Sequence, residues 1–397
     1  MKKSKTVKGF LFGGVACGIK KNGKKDLGLI YSEAPTKLAA LFTQNRFAAA
    51  PVLVGRDVAA TGSCRAVIVN SGNANACTGQ RGLRNAKEMA ALAGRALGIP
   101  SKKVLVSSTG VIGEPLRMGN LRKGIPTVVN HLSPYGAHHF ADAIMTTDIV
   151  RKIVYDQIHL GRTLVCLLGI VKGAGMIMPN MATMLAYLVT DAAISLPLMR
   201  KNFRRGVDFS FNSITVDGDT STNDTAVLLA NGRANNRLLI SGSRDAKKFE
   251  QALHSVMKEL ARMIVRDAEG GTKVVKICVQ GGPSIPSARE VAYRISNSLL
   301  VKTALYGEDL NWGRIIAAAG ATGIPLNPDK VDIKISGVPV LRNGRPLGFA
   351  KERLAARRLR RREIDIVINL KMGQALAEVL TSDLTGEYIR INSSYRS

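Results

Sequence analysis

Acidic residues are scarce in this chain. Asp and Glu number 29 against 57 Lys and Arg, a formal net charge of +28 over 397 residues. Such a surface attracts polyanions without a dedicated site, so nucleic-acid binding is a competing reading. Aromatics are scarce too, at 5%. No finger, RNP-like or GXXG pattern interleaves with the charge, which argues against a dedicated nucleic-acid module. The densest basic run, Arg353 to Arg362, carries Leu354, Leu359 and alanines, a spacing that predicts a solvated helix with one apolar edge. The five cysteines, an odd number without a CxxC, exclude a disulfide framework or a zinc knuckle. Cys17, Cys64, Cys77, Cys166 and Cys278 mostly have apolar or small neighbours and read as reduced core thiols of a cytoplasmic protein. No apolar run reaches the about 18 residues of a membrane span. Gly9–Ile19 follows a basic stretch and contains Ala16-Cys17, like a lipoprotein signal. It is short and glycine-rich, Gly14 stands where such a signal carries Leu, and Lys20-Lys21 follow at once, so it reads as the start of a folded protein.

What is present suits a soluble chain of two or more lobes: 46% hydrophobic residues and 22% charged ones. Leu27–Tyr31, Ala39–Thr43, Ala66–Asn70 and Val104–Val106 read as strands, and 82–98 as a helix with Met89, Leu92 and Leu97 inward. Residues 195–207 predict a basic helix, Phe209–Val216 a strand, 245–262 an amphipathic helix and 286–305 another helix. Residues 331–372 predict a strand-rich lobe interrupted by the basic helix, with clean alternation over Ile364–Leu370.

The chain is organised around Lys172-Gly-Ala-Gly-Met-Ile-Met-Pro-Asn-Met-Ala-Thr183. The unbroken apolar run Leu164–Val171 and the stretch Met184–Asp191, which also reads as a buried strand, flank this glycine-rich turn. An internal threonine is a poor nucleophile. A threonine at a new N-terminus has its own α-amine as base, with a pKa of about 7.7–8.0. A second stretch, Ser107-Ser-Thr-Gly-Val-Ile-Gly113, follows a buried strand and can turn backbone N–H groups and a hydroxyl towards one point, as an oxyanion requires. Asp217–Asp224 is dense in acids and hydroxyls but lacks the EF-hand order and its closing Glu, so a polar turn, not a metal site, is expected. Glu269 is a carboxylate in a glycine-rich turn. His131, His138, His139, His159 and His254 fall outside these motifs, which argues against a Ser-His-Asp triad.

In motif order and spacing, from Gly9 to Ser397, the chain resembles the ornithine acetyltransferase family, the glutamate N-acetyltransferases of arginine biosynthesis. The resemblance rests on Lys172–Leu185, Asn70-Ser-Gly-Asn-Ala-Asn75, Ser107–Gly113, Thr146-Thr-Asp148, Asp217–Asp224, Arg266–Lys273, Gly307-Glu-Asp-Leu-Asn-Trp-Gly-Arg314 and the C-terminal Asn392 and Ser397. Ala268 and Gly271 depart mildly from the family pattern, and the family often ends in Thr.

The resemblance implies an α/β fold, a stacked-sheet α/β/β/α sandwich of the self-processing N-terminal-nucleophile acyltransferase kind, with a smaller C-terminal α/β lobe from about residue 280. It implies cleavage between Ala182 and Thr183 into chains 1–182 and 183–397, which assemble as a heterotetramer of two of each. Thr183 is then the nucleophile, and Thr109 and Gly110 form the oxyanion hole. Thr146 (or its neighbour Thr147), Lys172, Glu269, Asn392 and Ser397 contact substrate. The implied reaction is ping-pong acetyl transfer from N2-acetylornithine to L-glutamate, with no bound cofactor or metal and with acetyl-CoA as an optional co-substrate. A related self-processing aminopeptidase or amidohydrolase is the alternative within this fold.

Overall fold

The computed structural model describes residues 5–178 and 184–394; Ala182, Thr183 and Ser397 lie outside the described residues. The chain forms two compact units. The first runs to Asn212 and takes up Asp219–Ile264; the second holds Ser213–Gly218 and the chain from Val265 on, so it reaches back beyond residue 280.

The first unit is built on β1 (Phe10–Val15), β2 (Leu27–Phe42), β3 (Ser63–Asn73), β4 (Val104–Val111), β5 (Lys152–Leu160), β6 (Thr163–Lys172), β7 (Leu185–Thr190) and β8 (Thr225–Ala230). Their order is β4-β3-β2-β8-β7-β6-β5, with β1 added on β2. The β3/β4 and β7/β8 pairs are parallel. Leu27–Tyr31 and Ala39–Thr43, expected as separate strands, belong to one strand of 16 residues that ends at Phe42. Ser32-Glu-Ala-Pro35 interrupts the apolar pattern, and there β2 breaks register instead of ending. Before the break β2 pairs with β3; after it, Thr36 and Lys37 still meet β3, and Lys37–Phe42 pair with β8.

Both halves of this sheet contribute to one apolar cluster. Phe10, Ile30 and Val67 come from one half, and Leu168, Tyr187 and Val227 from the other. Helices cover the outer faces. Met89 of α2 (Gly79–Leu97) and Leu121 of α3 (Met118–Asn130) pack with Leu29, Ile68 and Val106, while α1 (Ala50–Ala60) packs on β4. On the other side, α5 (Leu196–Phe209) lies on β2, and α6 (Arg244–Arg266) comes so close to β6 that a Cβ on Gly169 would lie 2.5 Å from Leu260. The result is the α/β/β/α layering. Phe140 of α4 (Ala137–Ile144) meets Tyr187 edge-on at 5.4 Å, worth about 0.5–1.5 kcal/mol beyond area burial. The signal-like N-terminal segment is core strand β1. A Cβ on Gly14 would fall 2.0 Å from the His139 carbonyl oxygen, so leucine could not stand there.

The second unit holds β9 (Val274–Gly282), β10 (Asp332–Ile335), β11 (Val338–Arg342), β12 (Arg345–Pro346), β13 (Glu363–Asn369) and β14 (Ala375–Thr381), in the order β12-β11-β10-β13-β9-β14. Ile364, Ile366 and Ile368 point inward to meet Val291 and Ile295. The helix expected over 286–305 is two, α7 (Ile285–Ser296) and α8 (Leu299–Tyr306). The Ser298 hydroxyl accepts from Val301 N and starts a new helix there. Phe209–Val216 is not a strand: Phe209 closes α5, Phe211–Ser213 is a 3-10 turn, and Ile214 makes a single bridge to Leu380. The Ser210 hydroxyl bonds back to Gly206 O, which ends α5 locally. Two short helices, α9 (Trp312–Gly320) and α11 (Gly386–Ser394), flank α10 (Phe349–Leu359) in sequence. In α10 the buried edge is Ala355 and Leu359; Leu354, expected on it, is exposed. Cys64, Cys166 and Cys278 are buried, whereas Cys77 is exposed. Among the described residues no helix is long and apolar enough to cross a membrane.

Candidate active site

The end of β4 is opened by a glycine. Gly110 has φ +129°, and a Cβ there would lie 2.4 Å from Gly72 C and 2.5 Å from Asn73 N. The β3/β4 ladder shifts register at Gly72/Asn73, the kind of irregularity that re-aims backbone and side chains. Buried asparagines hold this end in place. Asn70 Nδ2 donates to Asn73 O at 2.8 Å and Asn70 Oδ1 accepts from the Ser108 hydroxyl at 2.6 Å. Asn223 Nδ2 donates to Ala74 O and to Ser108 O. The Asn-Ser-Gly-Asn loop therefore satisfies the carbonyls of an irregular strand end. It does not cap α2: the Thr78 hydroxyl turns to Asn75 Oδ1 instead.

Next to the β5/β6 hairpin lies a cluster of charges. Register pairs Lys152 with Val171 and Lys172 with Leu185. Asp148 is buried, 2.6 Å from the Lys152 ammonium, and accepts from Gly173 N at 2.7 Å and Thr146 N at 3.0 Å. Burial alone would raise its carboxyl, but Lys152, Lys172 and the hydrogen bonds hold it down at about 2. Of Thr146 and Thr147, it is Thr146 whose hydroxyl meets Lys172 Nζ, at 3.3 Å. Two further residues belong here: Lys20, which sequence reasoning passed over, and Asp224, which it placed in a polar turn. Lys20 donates to Lys25 O and Met145 O, both at 2.7 Å. Asp224 is buried, and its Oδ2 has no hydrogen-bond partner among the described residues. Burial pushes its carboxyl well above the usual range, against the pull of Ser221 and Lys172. The next residue, Thr225, donates its N–H to Met184 O at 3.0 Å, at the entry to β7.

The second unit brings Glu269 and Asn392 together: Asn392 Nδ2 donates to Glu269 Oε2 at 2.8 Å. The Glu269 turn is locked. Gly270 has φ +66°, and a Cβ there would lie 2.5 Å from Tyr388 N. The Thr385 hydroxyl donates to Gly270 O, and Asp383 accepts from Thr272 N and Lys273 N. Behind it, Lys302 is buried and donates to the Thr381 hydroxyl and to Ser382 O. Burial pushes that ammonium down to about 8, against the pull of Asp383 and Asp217.

The first unit thus supplies positive charge, hydroxyls and a strand end from which N–H groups can turn outward. Such groups stabilise a developing oxyanion and leave the attack to another residue. In a layered α/β fold, that is equipment suited to acyl transfer. The chain belongs to the ArgJ family, whose model matches residues 11–397. A Geobacter sulfurreducens protein, the arginine biosynthesis bifunctional protein ArgJ, is 47% identical over 98% of this chain and 100% of its own. Its namesake from Syntrophotalea carbinolica is 46% identical over 98% of this chain and 99% of its own. A crystal structure of the Bacillus halodurans protein of that name is 40% identical, with a TM-score of 0.51, and covers 53% of this chain and 98% of that one. The protein is accordingly an acyltransferase of arginine biosynthesis.

Proposed function

We propose that the chain cuts itself between Ala182 and Thr183 and then moves acetyl from N2-acetylornithine to L-glutamate through an acetyl-Thr183 ester. In the first stage the Thr183 hydroxyl attacks the Ala182 carbonyl carbon. The C–N bond breaks, the nitrogen takes the hydroxyl proton, and water hydrolyses the ester. In the second stage the freed α-amine accepts the Thr183 hydroxyl proton as the oxygen attacks the acetyl carbonyl. The oxyanion is held at Thr109 and Gly110, the ornithine nitrogen leaves with the proton, and the glutamate amine attacks the acetyl-threonine in its turn. Lys172 and Thr146 serve substrate carbonyl and carboxylate oxygens, Glu269 the ornithine ammonium, and Asn392 and Ser397 the carboxylate end.

The observation that carries this reading is Gly110, a position in β4 where any Cβ would fall 2.4 Å from Gly72 C and force the backbones apart. Size supports it too: the Bacillus halodurans chain is matched almost whole by 53% of this one, and residues 183–397 likewise make up just over half. The relatives' designation as bifunctional supports acetyl-CoA as a second acetyl donor. The cleaved chains assemble as a heterotetramer in the cytoplasm, with no bound cofactor or metal. Intact mass of the protein beside Thr183→Ala tests the cleavage: two fragments meeting at Thr183, absent in the variant, are expected. Glutamate against water as acceptor separates acetyl transfer from the hydrolase alternative; acetylornithine consumed at the same rate without glutamate would refute transfer.

A further inference from the structure

Lys20 has no role in the reaction as proposed, yet it touches both halves of the first unit's site. The Asp26 carboxylate is fully buried and accepts from Cys17 N, Ile19 N and Lys20 N at 2.7, 2.7 and 2.9 Å. Those bonds fix the backbone at Lys20. The side chain then lies against Gly72: a Cβ on Gly72 would sit 3.0 Å from Lys20 Cγ. Gly72 in turn backs Gly110, whose own missing Cβ would lie 2.4 Å from Gly72 C. At its tip the ammonium donates to Met145 O, the residue before Thr146, whose hydroxyl meets Lys172.

We propose that Lys20 is a positioning residue for acyl transfer, tying the Thr146 turn to the Gly72 backbone behind Gly110 and adding a second ammonium to that of Lys172. The proposal rests on the acetyl-transfer reading above. The charged groups facing Lys20 are Asp26, Asp148, Lys172 and Lys24. Burial pushes the ammonium down to about 8; Asp26 and Asp148 pull it up, while Lys172 and Lys24 push it further down. The positive charge is therefore present below pH 8 and lost above it, so the rate of acetyl loading falls on that alkaline side.

The test is single-turnover ornithine release from N2-acetylornithine, with no glutamate present, across pH 6–10 (chosen to bracket that titration), on the cleaved enzyme. Lys20→Met is expected to lower the rate about 10²-fold, the usual cost of a misplaced site, and to lack the limb near pH 8. Lys20→Arg, whose charge is permanent, is expected to recover part of the rate and to move the limb to higher pH. Lys21→Met, on an exposed neighbour, serves as an unchanged control. A Lys20→Met enzyme within about threefold of the parent, or a Lys20→Arg profile identical to the parent's, would overturn the proposal. Should Lys20→Met not fold, the Lys20→Arg profile decides alone. A parent enzyme that releases no ornithine would instead sink the acetyl-transfer reading.

Discussion

Replacing Gly110 by alanine puts one methyl group where two backbones already touch. The new Cβ would lie 2.4 Å from Gly72 C, 2.5 Å from Asn73 N and 2.7 Å from Gly72 Cα, and ordinary contact begins at 3.4 Å. None of these atoms can rotate aside, so the ends of β3 and β4 must part by about 1 Å, a displacement that costs oriented catalysis about 10²-fold. If the Gly110 N–H faces the oxyanion, losing it costs about 10²–10³ in kcat, about 3–4 kcal/mol. The folded state also pays for the unfavourable φ and the opening, about 1–3 kcal/mol. Gly98 supplies the control. It too has positive φ, +64°, at the C-cap of α2, but among the described residues nothing lies within 4 Å of its would-be Cβ. Gly98→Ala should lose about 1–2 kcal/mol of stability from the left-handed backbone alone and leave kcat unchanged. Both variants are measured by thermal unfolding and by acetyl transfer to glutamate, with the rate referred to correctly cleaved protein. A folded, cleaved Gly110→Ala enzyme with kcat within about threefold of the parent, less than 1 kcal/mol of barrier, would refute the assignment of Gly110 to the oxyanion.

Further outcomes follow from the charged groups and their partners. Asp148→Asn leaves the Lys152 ammonium, which is fully buried, without its carboxylate, and should cost about 3–5 kcal/mol in denaturant unfolding. The Asp148→Leu/Lys152→Met pair should recover much of that; equal losses in single and double variants would contradict it. The Asp148 carboxyl is held at about 2 against an ordinary 3.8, so about 2 kcal/mol of stability is present above the ordinary value and lost as pH falls through the folded one. Asp148→Asn should lack that acid slope. Lys302 runs the other way: its folded value is about 8 against 10.5, so the unfolded state binds more protons between the two and stability rises with pH there, by about 3 kcal/mol. The difference in unfolding free energy between the parent and Lys302→Met should show that rise, and a flat difference would discount it. Asn392→Asp sets a carboxylate where the amide now donates to Glu269 at 2.8 Å. It should raise KM for acetylornithine about tenfold or more, by repulsion of about 1–2 kcal/mol, whereas an unchanged KM would detach Glu269 from substrate.

The sequence showed best those parts whose causes are local. Leu164–Val171 and Met184–Val189 are apolar without interruption, and they form β6 and β7, strands buried along most of their length on both faces. Phe209–Val216 failed because its alternation mimics a strand while side-chain hydroxyls, Ser210 on Gly206 O among them, close the backbone on itself. The break between α7 and α8 was hidden because the helical period continues across it and only one hydroxyl at Ser298 marks the new start. The site is harder still. Thr146 and Lys172 lie 26 residues apart, and what joins them is the β5/β6 hairpin, whose Leu160↔Thr163 closure at Gly161-Arg162 sets Lys152 opposite Val171. Locating that turn would have fixed the register and hence the meeting of Asp148 with Gly173. Glu269 and Asn392, 123 residues apart, have no such local determinant.

Charge is the clearest case of what composition conceals. The excess of 28 positive charges suggests a polyanion partner, and Arg353–Arg362 gives that excess a place. Yet the lysines in the interior are held by specific groups, Lys152 by Asp148, Lys273 by Glu308 and Leu359 O, and Lys302 by Thr381 and Ser382, and the half-buried Lys20 is held by two carbonyls. A buried ammonium is costly unless it is bonded in this way, so each such lysine constrains the backbone around it far more than a solvated arginine does. Lys20 shows how little the count distinguishes the two. In sequence it is one more cation in a basic N-terminal stretch, useful mainly for arguing that the segment is no signal peptide. In the fold it is bonded to the residue before Thr146 and packed against the glycine that backs Gly110. Net charge therefore describes the solvated lysines and arginines of this chain, while the chemistry proposed for it depends on a few half-buried ones, Lys20 and Lys172, that are held by named partners.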